Sequence, residues 1–202
     1  YQLKSCSDKT IKMQERNYLI HPNYIILILV LFGVTALFMG FSAAYLYNRL
    51  QQGVAPVRLP SLFYYNSILL LASSYSLWSS KKAYQNDQTS KYQQMLVVTL
   101  VLTIVFLIAQ ILAWNQLYDL NISLQHSTMA SYMYVITGLH FAHLIAGIPF
   151  LIYFIYVAVT KMKSPMTVLI YFADTDKKRK LDLLNIYWHF LDALWLYLVI
   201  FF

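Results

Sequence analysis

Residues Tyr187–Leu198 read YWHFLDALWLYL. The run is apolar enough for a membrane helix, yet His189 and Asp192 stand three residues apart inside it. Just upstream, Asp182 and Asn185 extend the pattern at spacings of three, four and three. Such spacing places all four side chains on one face of a helix. A bare carboxylate at the centre of a bilayer costs roughly 3 kcal/mol or more. The stripe must therefore turn from lipid into a helix bundle or toward a partner chain. Asp192 has candidate partners in His189 on its own helix and in His140 and His143, which share a face of the preceding apolar segment. The reading that follows is a buried, hydrogen-bonded network of His140, His143, Asp182, Asn185, His189 and Asp192. His143 and His189 are also the pair that facing helices would offer to a haem. A catalytic metal asks for three convergent ligands, and the third here is a lone Asp. No nucleophile, base and orienting group stand together, so no catalytic residue is assigned.

The rest of the chain supports the membrane reading. Of its 202 residues 59% are hydrophobic and 11% charged, against about 25% charged in a soluble domain. Five stretches are long and apolar enough to cross a bilayer: residues 24–47, 61–80, 95–118, 131–159 and 183–202. Asp192 is the one charged residue within them. Helices satisfy their own backbone groups in lipid, so the expected class is all-α, a single five-helix membrane domain over 24–202 behind a segment 1–23. No signal peptide is read in the polar, charged opening. The lone cysteine, Cys6, excludes an intrachain disulfide and reads as a free thiol.

The net charge of +7 has a topological cause. Lys4, Lys9, Lys12 and Arg16 precede the first span; Lys81, Lys82 and Lys91 follow the second; Lys161, Lys163, Lys177, Lys178, Arg179 and Lys180 follow the fourth. The opposite side carries Arg49 and Arg58. The asymmetry places the N-terminus in the cytoplasm and the C-terminus in the periplasm, and leaves no need for a nucleic-acid partner. The cluster at 177–180 could also meet anionic lipid headgroups.

Gly33, Ala36, Gly40 and Ala43 recur at helical spacing and offer a stripe for close approach of another helix. Asn66, Ser67, Ser73, Ser74 and Ser76 supply hydrogen bonds between helices, and Gln110, Gly138 and Gly147 join Asn66 and Ser73 as packing positions. Pro149 removes a backbone donor and is expected to kink the fourth helix.

These motifs resemble subunit III of haem-copper terminal oxidases. The closing NIYWHFLDALWLYL is similar to that family's YWHFVDVVWLF through Tyr187, Trp188, His189, Phe190, Asp192, Trp195 and Leu196. TGLHFAHLIAG matches the family's pattern at Thr137, Gly138, His140, His143 and Gly147. LPSLFYYNSILLLASSYSLW matches at Leu59, Pro60, Asn66, Leu70, Ser73 and Ser74, and Gln110 matches a glutamine of the third helix.

The resemblance implies a five-helix bacterial form of a non-catalytic subunit in the inner (plasma) membrane. It implies no bound cofactor, with haem and copper held by subunit I and subunit II. Phospholipid would lie between its helices. The complex would carry electrons from cytochrome c, or from a quinol, to oxygen while pumping protons. Val34, Ala113 and Trp114 stand where the family carries intramembrane glutamates, so a proton relay through those positions is not expected. A haem b anchor and a small proton-coupled transporter are the alternatives from other classes. On this reading Asp192→Leu deprives a histidine of its acceptor and weakens the assembly.

Overall fold

The computed structural model of the chain describes residues 22–53, 60–120, 128–162, 168 and 175–202. Cys6, the four cations before the first span, Arg58, Leu59, Lys163 and most of the 161–180 loop lie outside these residues. All five elements of the described chain are helices: α1 Pro22–Gln52, α2 Ser61–Gln85, α3 Thr89–Asp119, α4 Thr128–Lys161 and α5 Thr175–Phe201. Each outruns its apolar stretch at one end or both, because a helix ends where backbone partners end rather than where hydropathy falls. Pro22 opens α1, where its missing N–H costs nothing. Gly53 follows it with φ +61°, the left-handed conformation that stops a helix. Pro149 lies inside α4 without ending it.

The described residues up to Ala36 belong to one unit and those from Leu37 onward to another. The described part of the first is the opening of α1, where Ile25, Ile26, Leu29 and Phe32 are exposed and the Thr35 hydroxyl donates to the Leu31 carbonyl. In the second unit α2 packs on α3, α3 on α4, α4 on α5, and α5 back on α2, a closed ring of neighbours. Contacts at the ends fix their directions. Gln93, early in α3, donates to the carbonyl of Ala158, late in α4 (2.8 Å). Trp114, late in α3, donates to Thr137, early in α4 (3.2 Å). The second half of α1 follows the same rule: Asn48 donates to the Tyr132 hydroxyl at 3.1 Å, and Tyr45 meets the rings of Phe201 and Phe202 edge-on.

Among the described residues four helices are both long and apolar enough to cross a membrane: α1, α3, α4 and α5. The fifth expected span, α2, is less apolar, and the reason is its serines. Ser73, Ser76 and Ser80 are buried among the helices rather than offered to lipid. Its 25 residues are long enough at ~1.5 Å each. The ends of α1 and α3 both adjoin the start of α4. The chain must return between them, and α2 is the segment that makes the return.

One end of the ring is sealed by Leu77, Tyr84, Tyr92, Leu96, Phe154, Leu181 and Trp188. Here α2 turns into α3 through Asn86, Asp87 and Gln88. The Gln88 N–H reaches the Ala83 carbonyl (2.9 Å) and the Asp87 N–H reaches Tyr84 (3.3 Å), a Schellman closure with Asp87 in the left-handed position at φ 55°. Glycine suits that conformation better. Asp87→Gly is expected to stabilise the chain by about 0.5–1 kcal/mol, seen as a rise in the thermal midpoint in detergent.

Candidate functional site: a buried polar seam between α2 and α5

The polar stripe of α5 meets α2 in an antiparallel register that repeats about every seven residues. Lys81 Nζ lies 2.9 Å from Asp182 Oδ1 at the partly exposed end. Farther in, Trp188 Nε1 donates to Ser73 Oγ (3.3 Å), and His189 Nδ1 shares a 2.5 Å hydrogen bond with Ser74 Oγ. Deeper still, Trp195 Nε1 donates to Ser67 Oγ (3.2 Å). Ser67, Ser74 and Lys81 thus recur at seven, matching Trp195, His189 and Asp182 in reverse. This is the spacing that keeps two helices facing each other.

Asn185 is buried, and its Nδ2 donates to the Leu181 carbonyl (3.1 Å). Asp192 is 4% exposed, so its carboxylate turns inward as the cost of lipid exposure requires. None of its expected partners bonds it. His189 is held by Ser74. His143 Nδ1–H donates to the Leu139 carbonyl (2.6 Å), and its ring lies 6.0 Å from that of Phe38 on α1. Fully buried His140 has neither ring nitrogen hydrogen-bonded; it sits against Trp195 (5.1 Å between centroids) and Phe106 (6.2 Å). No histidine in the described chain hydrogen-bonds Asp192, and neither carboxyl oxygen closes a hydrogen bond.

The mutational expectation changes accordingly. His189 does not depend on Asp192, and removing a buried polar group that lacks a bond is nearly neutral or stabilising. Asp192→Leu is expected to leave the thermal midpoint within a few degrees of the parent. Ser74→Ala strands the His189 imidazole and should cost about 1 kcal/mol. The reverse order in a detergent unfolding series would contradict this assignment.

The remaining candidates divide into inner and outer positions. Asn66 Nδ2 donates to Gln110 Oε1 (2.9 Å), and both residues are fully buried between α2 and α3. Ser73 holds Trp188 as described. Gly147 is buried against α5: a Cβ there would stand 3.1 Å from both the Trp188 and Tyr187 rings. Gly33, Ala36, Gly40 and Ala43 are all exposed. Gly33, Gly40 and Gly138 have nothing within 4 Å of an added Cβ. Among the described residues these three glycines are therefore not close-approach points.

Sequence reasoning picked the serines of α2 as polar glue but not their individual partners, nor Lys81 as the counter-ion of Asp182. The signal was available in the matched sevenfold spacing of 67, 74 and 81. His143 and His189 are engaged by different helices. Among the described residues no three His, Cys, Asp or Glu side chains could hold a metal ion.

An all-helical membrane protein with a polar seam buried between its helices is the class so defined. Residues 23–202 match the family model for cytochrome c oxidase subunit III, and the chain belongs to that family. Among relatives named cytochrome c oxidase subunit 3, that of Synechocystis sp. is 27% identical over 187 residues, covering 89% of this chain and 75% of the relative. The Thermostichus vulcanus protein is 25% identical, covering 88% and 86%. The Mus musculus protein is 25% identical over 148 residues, covering 73% of this chain but 52% of its own length.

Proposed function

We propose that this chain is a non-catalytic subunit III of a bacterial haem-copper terminal oxidase in the inner membrane. It lies against subunit I, with subunit II in the same complex, and these partners hold the haem and copper. The carrying observation is the family match over nearly the whole described chain, α1 to α5. The relatives' names favour cytochrome c over a quinol as the complex's electron donor.

Two features of the chain fit this role. The exposed positions Gly33, Ala36, Gly40 and Ala43 on α1 leave room for a foreign helix to approach closely. The polar groups of α5 are instead directed into the ring, where they tie helices together. The chain's task in the complex is then mechanical: a rigid bundle that buttresses subunit I and holds phospholipid between its helices. The cation distribution supports an N-terminus in the cytoplasm and a C-terminus in the periplasm.

Extraction in mild detergent with an affinity tag on this chain should bring down haem-bearing subunit I, identified by mass spectrometry. The chain isolated from the complex should give no haem band in a reduced-minus-oxidised spectrum. A sharp haem band on the isolated chain, or proton-coupled flux by it in liposomes, would replace this reading with an electron-transfer anchor or a transporter.

A further inference from the structure

The face of α2 turned away from the ring changes polarity in one direction. Ile68, Leu71, Tyr75, Trp78 and Lys82 are exposed on it. Their spacing of three, four, three and four sets them along a single stripe. Asn66, Ser73 and Leu77, buried in the ring, lie on the opposite side of the helix. At one end of the stripe three side chains stand together. The Tyr75 and Trp78 rings are 5.8 Å apart, and Lys82 Nζ is 5.5 Å from the centre of the Trp78 ring. A lysine near the end of a membrane helix ordinarily extends toward water. Lys82, in the last turn of α2, instead lies back over the indole, one turn closer to the hydrocarbon. Its neighbour Lys81 has a carboxylate 2.9 Å away, in Asp182. Among the described residues Lys82 has no such counter-ion, and the Trp78 N–H and Tyr75 hydroxyl close no hydrogen bond.

Read from Lys82, the stripe runs ammonium, indole N–H, phenol and then the aliphatic Leu71 and Ile68. A phospholipid has the complementary order of anionic phosphate, ester oxygens and acyl chain. From Leu71 to Lys82 the helix rises about 16 Å, the depth of one leaflet of hydrocarbon. We infer that this stripe binds one anionic phospholipid. Its phosphate lies on Lys82 Nζ and the Trp78 N–H, its ester oxygens beside Tyr75, and an acyl chain along Leu71 and Ile68. The site is on the outer face of α2, apart from the phospholipid held between the helices. It deepens the lipid-holding part of the proposed function and rests on that reading for the chain's place in a membrane. A partner helix fits the stripe less well. Its carbonyls are engaged in its own ladder, so it offers few acceptors to three donors, and the exposed rings keep a backbone at a distance. The cation distribution supports placing this end in the cytoplasm, where membrane surfaces are negative.

The test is quenching of Trp78 fluorescence by brominated acyl chains, with the full-length chain reconstituted in phosphatidylcholine vesicles. Brominated phosphatidylglycerol or brominated phosphatidylcholine replaces part of the lipid. The Trp78 signal is the difference between the chain and its Trp78→Phe variant. Phosphatidylglycerol is expected to bind beside Trp78 about fivefold more tightly than phosphatidylcholine, the effect of one lysine at an anionic surface. Lys82→Gln should abolish that preference. Lys178→Gln, which removes an exposed lysine of α5, should leave it intact. No preference in the parent, or equal losses from the two lysine variants, overturns the proposal. So does a Trp78 that neither brominated lipid quenches once the intact complex is reconstituted, because a protein neighbour then covers the face. Co-purification of subunit I is expected to be the same for the parent and Lys82→Gln, so the oxidase reading stands or falls separately.

Discussion

Trp195→Ala is expected to lower the stability of the chain in detergent by about 2–4 kcal/mol. A truncated buried tryptophan in a soluble core costs about 3–5 kcal/mol. The figure here is reduced because the helices separate into lipid or detergent rather than water, so part of the transfer term is lost. What remains is packing, and the position maximises it. Trp195 is fully buried on α5 and touches every other member of the ring: Phe63 and Ser67 of α2, Phe106 of α3 and His140 of α4. Its removal opens a cavity that four helices cannot all close at once. Trp195→Phe keeps an aromatic wall and loses the Ser67 bond, for an expected cost of about 1 kcal/mol plus a smaller cavity. Unfolding by far-UV circular dichroism against a denaturing detergent should therefore rank Ala well below Phe. Equal midpoints would mean that the aromatic layer does not hold the ring together.

Much of this fold is legible in the sequence. Apolar runs separated by short polar loops can fold in lipid only as helices, and a spacing of three and four put Asp182, Asn185, His189 and Asp192 on one face. Asn185 and Asp192 on that face are buried, while Asp182 and His189 are partly exposed. Partner choice was not legible. Sequence proximity favoured His189 as the mate of Asp192, but a residue at i−3 on the same helix competes with whatever the facing helix presents. Ser74 of α2 arrives at the imidazole first. His143 likewise satisfies its ring on the backbone one turn back, at Leu139, a bond that the sequence of any helix permits and none announces. The small residues divide for a related reason. Glycine spacing says that a helix can come near, not which helix: Gly147 has α5 against it, whereas Gly33, Gly40 and Gly138 have open space. The serines of α2 lower its hydropathy because they serve the interior of the ring, so the helix that binds α5 most specifically is the one that least resembles a membrane span.

The contrast among the glycines gives the second large effect. Gly147→Val is expected to destabilise the chain by roughly 3 kcal/mol, and Gly147→Ala by about 1–3 kcal/mol. A Cβ at 147 would stand 3.1 Å from Trp188 Cζ3 and 3.1 Å from Tyr187 Cε1, closer than carbon atoms ordinarily pack. Whether neighbours can yield decides the cost, and both are tethered. Trp188 is fully buried and bonded to Ser73 (3.3 Å), while the Tyr187 hydroxyl donates to the His143 carbonyl (2.9 Å). Relief therefore requires moving α4 away from α5, which would disturb the seal at that end of the ring. Releasing one tether should recover part of the loss: Tyr187→Phe frees the ring from His143, so the double variant with Gly147→Ala is expected to be less destabilised than the two single effects combined. Gly138→Ala is the internal control. With nothing within 4 Å of the new methyl group, it should gain up to about 1 kcal/mol from helix propensity in the isolated chain. Equal losses at 138 and 147 would show that general intolerance of α4 to side-chain bulk, rather than the tethered pair on α5, sets the cost.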